Sequence, residues 1–170
     1  MQNLLEAKQI LNGIDYWLDC GTLLFAVRNN AQDPADDDIA IMAIDTHLVV
    51  KRLPLFIKRG FRIHRIYHHP DMGITEFSFR RNNRAFDIFV YYPKGKYLYA
   101  VSWYDRHIFR RLPSFETTKG YELNDSLFPV PENPEKYLLS YYGEDWRIPK
   151  VDWNPVSDPP CNCDENSFFN

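Results

Sequence analysis

Apolar and polar residues recur with two different periods along this chain, and the change of period divides it. Over residues 3–13, Leu4, Leu5, Ala7, Ile10 and Leu11 return at three- and four-residue intervals, which predicts an amphipathic helix ended by Gly13. "DYWLDC" (15–20) has the length and aromatic content of a short buried strand. Gly21 then permits a tight turn, and Thr22 is placed to cap a helix through "LLFAVR". After the turn residues of "NNAQDPAD", the unbroken apolar run "DIAIMAI" predicts a central strand. Asp45 and Thr46 suit the start of a helix "HLVVKRLPLFIKR" closed by Gly60, with Pro54 predicting a kink or a break inside it.

From Phe61 the pattern turns to strands. "FRIHRIYH", "ITEFSFRR", "RAFDIFVYY" and "KYLYAVSWY" are separated by the turn-forming "HPDMG", "NN" and "PKGK", and Asn82-Asn83 predicts a tight hairpin. Asn133 followed by Pro134 is a cap with a first-turn proline, so "PEKYLLSYY" is predicted helical up to Gly143. Past "DWRIPKVDW" the Pro, Asp and Asn content rises. The expectation is one α+β domain over residues 1–150, with no internal repeat, followed by an irregular tail over 151–170.

Composition sharpens this in a few places. A chain of 170 residues that is 45% hydrophobic, with 11 Tyr, 12 Phe and 4 Trp, has the material for one core and is not of a disordered type. No apolar run reaches the length of a membrane helix and "MQNLLEAKQILNGI" lacks a signal-peptide core, so the expectation is a cytoplasmic protein without a membrane span. The net charge of -3 conceals an uneven distribution. Fourteen of the 20 Lys and Arg fall between Lys51 and Arg111, against the acids Asp71, Glu76, Asp87 and Asp105. A basic middle beside an acidic cluster suits an anionic ligand held with a cation, and would also suit nucleic acid.

Some residues have plain readings. Cys20, in an apolar context, is expected as a small buried side chain, and Cys161 and Cys163 in "PPCNCDEN" as part of an exposed tail, since no His or Cys lies at zinc-ligand spacing. His64 and His68 share a face on an extended segment, but without an acid or Cys in the motif they are expected to be exposed. Aromatics from Tyr91 to Tyr104 interleave with Lys94, Lys96 and Arg106, a pattern that binds single strands or sugars in some proteins and more often packs a sheet. Trp146 and Trp153 are expected to be structural.

The candidate chemistry lies in "DDDIAI". If the segment is extended, Asp36 and Asp38 share one face and Asp37 the other. A solvated turn is the bland account of three adjacent acids; a shared hard cation such as Mg²⁺ or Mn²⁺ is the sharper one. Asp87 is a lone acid in the apolar run "AFDIFVYY", where an unpaired carboxylate costs several kcal/mol, on the order of a buried ion's penalty. It needs either a salt bridge, to Arg84 or Arg81, or a place at the same ion. A Gly-Thr turn upstream, at a helix start, offers backbone N–H groups to a phosphate.

Gly21-Thr22, then "DDDI", then a separated strand acid resemble the layout of the nucleotidyltransferase superfamily related to DNA polymerase beta. More narrowly, "YWLDCGTLLFAVRNN" with "DDDIAI", "FDIFVYYP" and "FPVPENPEKYLLSYYGEDWRIP" resemble the LicD and fukutin-type phosphotransferase family, over about residues 10–150 and in the family's order. The resemblance implies a nucleotidyltransferase-like mixed β-sheet flanked by helices. It implies transfer of a phospho-alcohol unit, such as phosphocholine or a polyol phosphate, from a CDP-linked donor to a hydroxyl of a glycan or other acceptor. Nucleotidyl transfer, or nucleotide or glycan binding without turnover, are the alternatives, and nucleic acid is not the expected partner. On this resemblance Asp38 holds Mg²⁺ or Mn²⁺, Asp87 is a ligand or the base, Gly21 and Thr22 face phosphate, and Arg28 contacts the diphosphate; Asp36 is a further candidate ligand by its spacing from Asp38. Two positions depart from the family's pattern. Ala40 stands where a second carboxylate is usual, which leaves Asp36 to complete the pair, and Phe25 stands where glycine is usual, either narrowing a donor pocket or, as the plainer expectation, joining the core.

Overall fold

The computed structural model describes residues 1–170. Its helices are α1 (Gln2–Ile10), α2 (Cys20–Asn29), α3 (Thr46–Lys58), α4 (Pro134–Tyr142) and a closing turn α5 (Asn166–Phe169). The strands are β1 (Tyr16–Leu18), β2 (Asp36–Met42), β3 (Arg62–His69), β4 (Gly73–Arg81), β5 (Arg84–Lys94), β6 (Tyr97–Trp103), β7 (His107–Pro113), β8 (Thr118–Leu123), β9 (Ser126–Pro131) and β10 (Asn162–Cys163). The fold is α+β, a mixed sheet flanked by helices.

The long strand β5 organises the sheet. Its first part lies between β2, which it pairs in parallel from Asp36↔Ala85 to Met42↔Tyr91, and β4, which it pairs antiparallel. β1 extends the sheet beyond β2, and β3 extends it beyond β4. The far end of β5, Tyr92–Lys94, instead pairs with β6, which carries β7 and then β10. β8 and β9 form a separate ribbon.

Register sorts the side chains into two faces. Ile39, Ile41, Phe77, Phe79, Phe86, Ile88 and Val90 are buried on one face, where Phe56 of α3 stacks on Phe79 at 4.7 Å between ring centroids. The opposite face carries Asp36, Asp38, Ser78, Glu76 and Asp87, and is covered in part by α2 and α4. α3 continues through Pro54 without breaking. The carbonyl that loses its partner there belongs to Val50, an exposed residue whose carbonyl water can serve.

The hairpin at Asn82-Asn83 is present, with φ of 53° and 58°, both in the left-handed region that a tight two-residue turn requires. Four expectations are corrected. α2 begins at Cys20 with Asp19 as its cap, three residues before the expected cap at Thr22. The tail is not irregular throughout, because β10 pairs with β7 and Phe168 and Phe169 of α5 pack on Tyr99 and Phe109. Nor are its cysteines both exposed: Cys161 is buried, its carbonyl accepting from the Arg111 N–H at 2.8 Å, while Cys163 is half-buried. Cys20 is also only half-buried, its Sγ 3.4 Å from the Tyr141 hydroxyl.

Candidate metal and phosphate site

Parallel pairing of β2 with β5 sets Asp38 directly opposite Asp87, with Asp36 one pleat away on the same face. Each contributes a carboxylate oxygen to a group in which all three atoms lie within 4.8 Å of one another. Asp38 is buried, and Asp36 and Asp87 are half-buried. None of the three is ion-paired: Arg84 binds Asp37, and Arg81 binds Glu6. The Oδ1 of Asp87 is buried with no hydrogen-bond partner at all.

Three converging carboxylates oppose ionisation, and burial is the larger part of that opposition. Burial, followed by the charges of Asp33 and Asp87, pushes Asp36 up to about 6. Burial, then Asp36 and Asp87, raises Asp38 well above the usual carboxylate range. Burial raises Asp87 too, partly offset by a hydrogen bond from Ser78 and by the nearby charges of Arg80 and His64. This is the chemistry of a donor set for a hard cation: oxygens only, negative, close together, and with a buried lone pair that nothing in the protein satisfies.

Asp37 points to the other face, as the spacing predicts. It is fully buried against Arg84, whose Nε donates to it at 2.9 Å, and it accepts from Gln32 at 2.6 Å. The same guanidinium donates to the carbonyls of Pro34 (2.9 Å), Asp36 (2.6 Å) and Asp33. Arg84 therefore fixes the loop that leads into the acid strand.

The helix-start turn is tied to that strand by two hydrogen bonds. Asp19 N–H donates to the Asp38 carbonyl at 3.2 Å, and Asp38 N–H donates to the Thr22 hydroxyl at 2.7 Å. Thr22 is fully buried, so its side chain positions Asp38, leaving only the first-turn amides of α2 free of intrahelical partners. Asp19 anchors the turn from beneath, accepting from Tyr91 at 2.8 Å and Tyr137 at 2.9 Å. Cys20 sits at φ 44°, a strained conformation for a residue with a Cβ. At Gly21 the chain passes so close to Asp33 that a Cβ there would lie 2.1 Å from its Oδ2.

Beside Gly21 opens a cleft of about 280 Å³, lined by Phe25, Arg28, Asp33, Tyr142, Trp146 and Trp153 among others. Arg28 lies 5.0 Å over the Phe25 ring, and its Nη1 donates to the Trp146 carbonyl at 3.4 Å. Phe25 is thus a cleft residue and not a core one, and the two tryptophans, expected to be structural, line the same space. Sequence reasoning missed Asp19, Asp33 and Glu76. Glu76, on β4, is buried on the acid face, and burial together with the charge of Asp87 pushes it up to about 8.

The histidines offer no competing site. His64 and His68 are exposed, and His69 is buried between His107, Phe109 and Phe169 with Glu165 3.3 Å away. No helix is long and apolar enough to cross a membrane.

Residues 13–133 match the family described as LicD/FKTN/FKRP, nucleotidyltransferase domain. The chain belongs to the LicD family. The matched segment contains Gly21, Thr22, Arg28 and all three converging acids, and stops before Tyr142, Trp146 and Trp153 of the cleft's far wall. The chain is also similar to an uncharacterized protein, RT0683, of Rickettsia typhi, with 35% identity over 99 residues, which is 56% of this chain and 28% of that protein. The matched part thus spans little more than a quarter of the relative's length.

Proposed function

We propose that this LicD-family domain is a metal-dependent phosphotransferase that moves a phospho-alcohol unit from a CDP-linked donor to a hydroxyl of a glycan or related acceptor. Family membership supports transferase chemistry of this general kind. One observation carries the finer reading: three unpaired carboxylates from two strands converge within 4.8 Å, with an orphaned Asp87 oxygen among them. Asp36 and Asp38 would hold a Mg²⁺ or Mn²⁺ ion and Asp87 would complete the set, with Asp36 standing in for the carboxylate expected at position 40. A divalent cation bound there neutralises the donor's diphosphate and stabilises the leaving phosphate.

The protein's own groups supply the rest. The first-turn amides at Gly21 and Thr22 present donors to a phosphate, and the dipole of α2 favours its negative charge. Arg28 binds the diphosphate at the cleft mouth, and the rings of Phe25, Tyr142 and Trp146 receive the nucleoside. Asp87 lies on the β4 side of the three acids and accepts the proton of an incoming hydroxyl.

The test is incubation with Mg²⁺ and a CDP-alcohol labelled on the alcohol's phosphate, in parallel with labelled CTP. Metal-dependent release of CMP, lost in Asp38→Asn, supports the proposal. Appearance of the nucleotidyl half on an acceptor shows nucleotidyl transfer instead. Mn²⁺ binding that is unchanged by both Asp38→Asn and Asp87→Asn removes the metal site and the mechanism with it.

A further inference from the structure

We propose that the β3–β4 face beside the acid cluster is the acceptor subsite, and that it selects an acceptor carrying an anionic group, a phosphate or a carboxylate, close to its reacting hydroxyl. This rests on the reading that transfer takes place at Asp36, Asp38 and Asp87.

Register makes the first argument. Asp87 faces Ser78 across the β5–β4 pair, Ser78 faces Arg65 across the β4–β3 pair, and Arg80 faces Arg62. Paired residues point to the same side of a sheet, so Arg62, Arg65 and Arg80 stand on the acid face. A register irregularity between Ile63 and Arg65 leaves His64 as an extra residue in that stretch of β3. Neighbouring strands lie about 4.8 Å apart, which places the backbone of the β3 arginines about 10 Å from that of the β5 acid, a span their long side chains shorten.

The second argument is the absence of partners. Arg59, Arg81, Arg84, Arg147 and Lys150 each bind a carboxylate. Arg62, Arg65 and Arg80 bind none. Arg65 donates to the Tyr67 hydroxyl at 3.3 Å and lies 6.0 Å over its ring, and Arg80 donates to the Phe79 carbonyl at 3.4 Å, its charge near enough to act on Asp87 and Glu76 without an ion pair. Such a row of free guanidinium groups is suited to phosphate or carboxylate from outside the chain. Tyr67, opposite Glu76 on the same face, adds a ring against which a sugar can pack.

Direction is the third argument. The attacking and leaving oxygens of a phosphoryl transfer lie roughly in line, on opposite sides of phosphorus. The α2 turn and its cleft lie on the β1–β2 side of the acids, and the free arginines lie on the β4–β3 side. With the nucleotide leaving toward α2, the hydroxyl arrives from the arginines. Its oxygen bonds the donor's alcohol phosphorus, the phosphoanhydride P–O bond breaks, CMP departs with the electron pair, and the hydroxyl proton passes to Asp87.

Binding by calorimetry at 0.15 M salt tests this with four probes: glucose 6-phosphate, tetragalacturonate, neutral galactotetraose and oligo-dT. The wild-type protein and Asp38→Asn should bind at least one anionic sugar alike, and galactotetraose at least tenfold more weakly. Arg62→Ala/Arg65→Ala should lose at least tenfold for the anionic sugar, and Arg62→Lys/Arg65→Lys should recover part of it, both with a wild-type circular dichroism spectrum. Equal binding of the neutral oligosaccharide, full retention by the double alanine variant, or preference for oligo-dT would each overturn the assignment. So would a parallel loss of CDP binding in Mg²⁺, which would put the donor on this face. Mn²⁺ affinity that survives Asp38→Asn would defeat the metal reading while leaving the anion-binding result in place.

Discussion

Substituting Gly21 by alanine sets two effects of opposite sign against each other. At a backbone conformation alanine can adopt, the change reduces unfolded-state freedom and stabilises by about 0.4–1 kcal/mol. Here the new Cβ falls 2.1 Å from Asp33 Oδ2 and 3.3 Å from its Cγ. Asp33 is buried and its other oxygen accepts from Ala35 N–H at 2.7 Å, so it has to retreat by about 1 Å to restore a tolerable contact and gives up that bond in doing so. Overpacking costs about 1–3 kcal/mol, and a lost hydrogen bond about 0.5–1.5 kcal/mol more. The clash therefore wins, and Gly21→Ala should destabilise by about 1–3 kcal/mol in urea unfolding. A double-mutant cycle with Asp33→Ala isolates the cause, because that change removes the clashing carboxylate; the pair should be more stable than the sum of the singles by at least about 1 kcal/mol. A Gly21→Ala protein within about 0.5 kcal/mol of wild type, or additive behaviour in the cycle, would refute the close-approach argument.

Three further outcomes follow from the same geometry. In EDTA, Asp38→Asn should raise the melting temperature, since it relieves mutual repulsion among buried acids; the proposed metal site further predicts that Mg²⁺ raises the wild type's melting temperature and not the variant's. Arg84→Ala leaves Asp37 buried without its cation and should cost about 3–5 kcal/mol in denaturant unfolding, more than any other single surface arginine. Glu76 is raised to about 8 in the folded protein from an ordinary 4.5, so the folded state holds the extra proton between those values and stability falls as pH rises across that window. Glu76→Gln should flatten this slope and stabilise by roughly 4 kcal/mol at pH 8; an unchanged profile of stability against pH would count against the buried-acid reading.

Local periodicity carried α1, α3, α4 and the strands β2 to β6, because each of these segments shows one clear period between turn residues. It failed where composition works against pattern. β7 contains Arg110 and Arg111 in mid-strand, and Arg110 is buried, donating to Ser102 at 2.5 Å and to the Pro155 carbonyl at 2.8 Å. β9 contains two prolines, which a two-stranded ribbon tolerates but a strand interior does not. Asn124-Asp125 makes the same left-handed turn as Asn82-Asn83, with φ of 50° and 59°, and the flanking sequence hid it. In the site, two-residue spacing was enough to put Asp36 and Asp38 on one face. The pairing of Asp38 with Asp87 was not legible, because it depends on the register of two strands about fifty residues apart. Glu76 was legible in principle: a lone acid in "ITEFSFRR" is the same signal as the lone acid in "AFDIFVYY". Asp33 was not, since in "AQDPAD" it resembles any turn acid.

The expectation of a second carboxylate at position 40 can be set against the sheet. Along β2, position 40 lies one pleat beyond Asp38 and level with Phe89 of β5, Trp17 of β1 and Glu76 of β4. Ala40 and Trp17 are buried, so a carboxylate at 40 would be enclosed by the rings of Trp17 and Phe89. The acids that do converge lie one pleat toward the start of β2, where Asp36 is half-buried and open to solvent. If the proposed metal site is correct, moving the acid back should not restore or improve it: Asp36→Ala combined with Ala40→Asp should bind Mn²⁺ more weakly than wild type, by tenfold or more. An affinity equal to wild type would mean that the two positions are interchangeable and that the enclosure by Trp17 and Phe89 does not direct the ligand set.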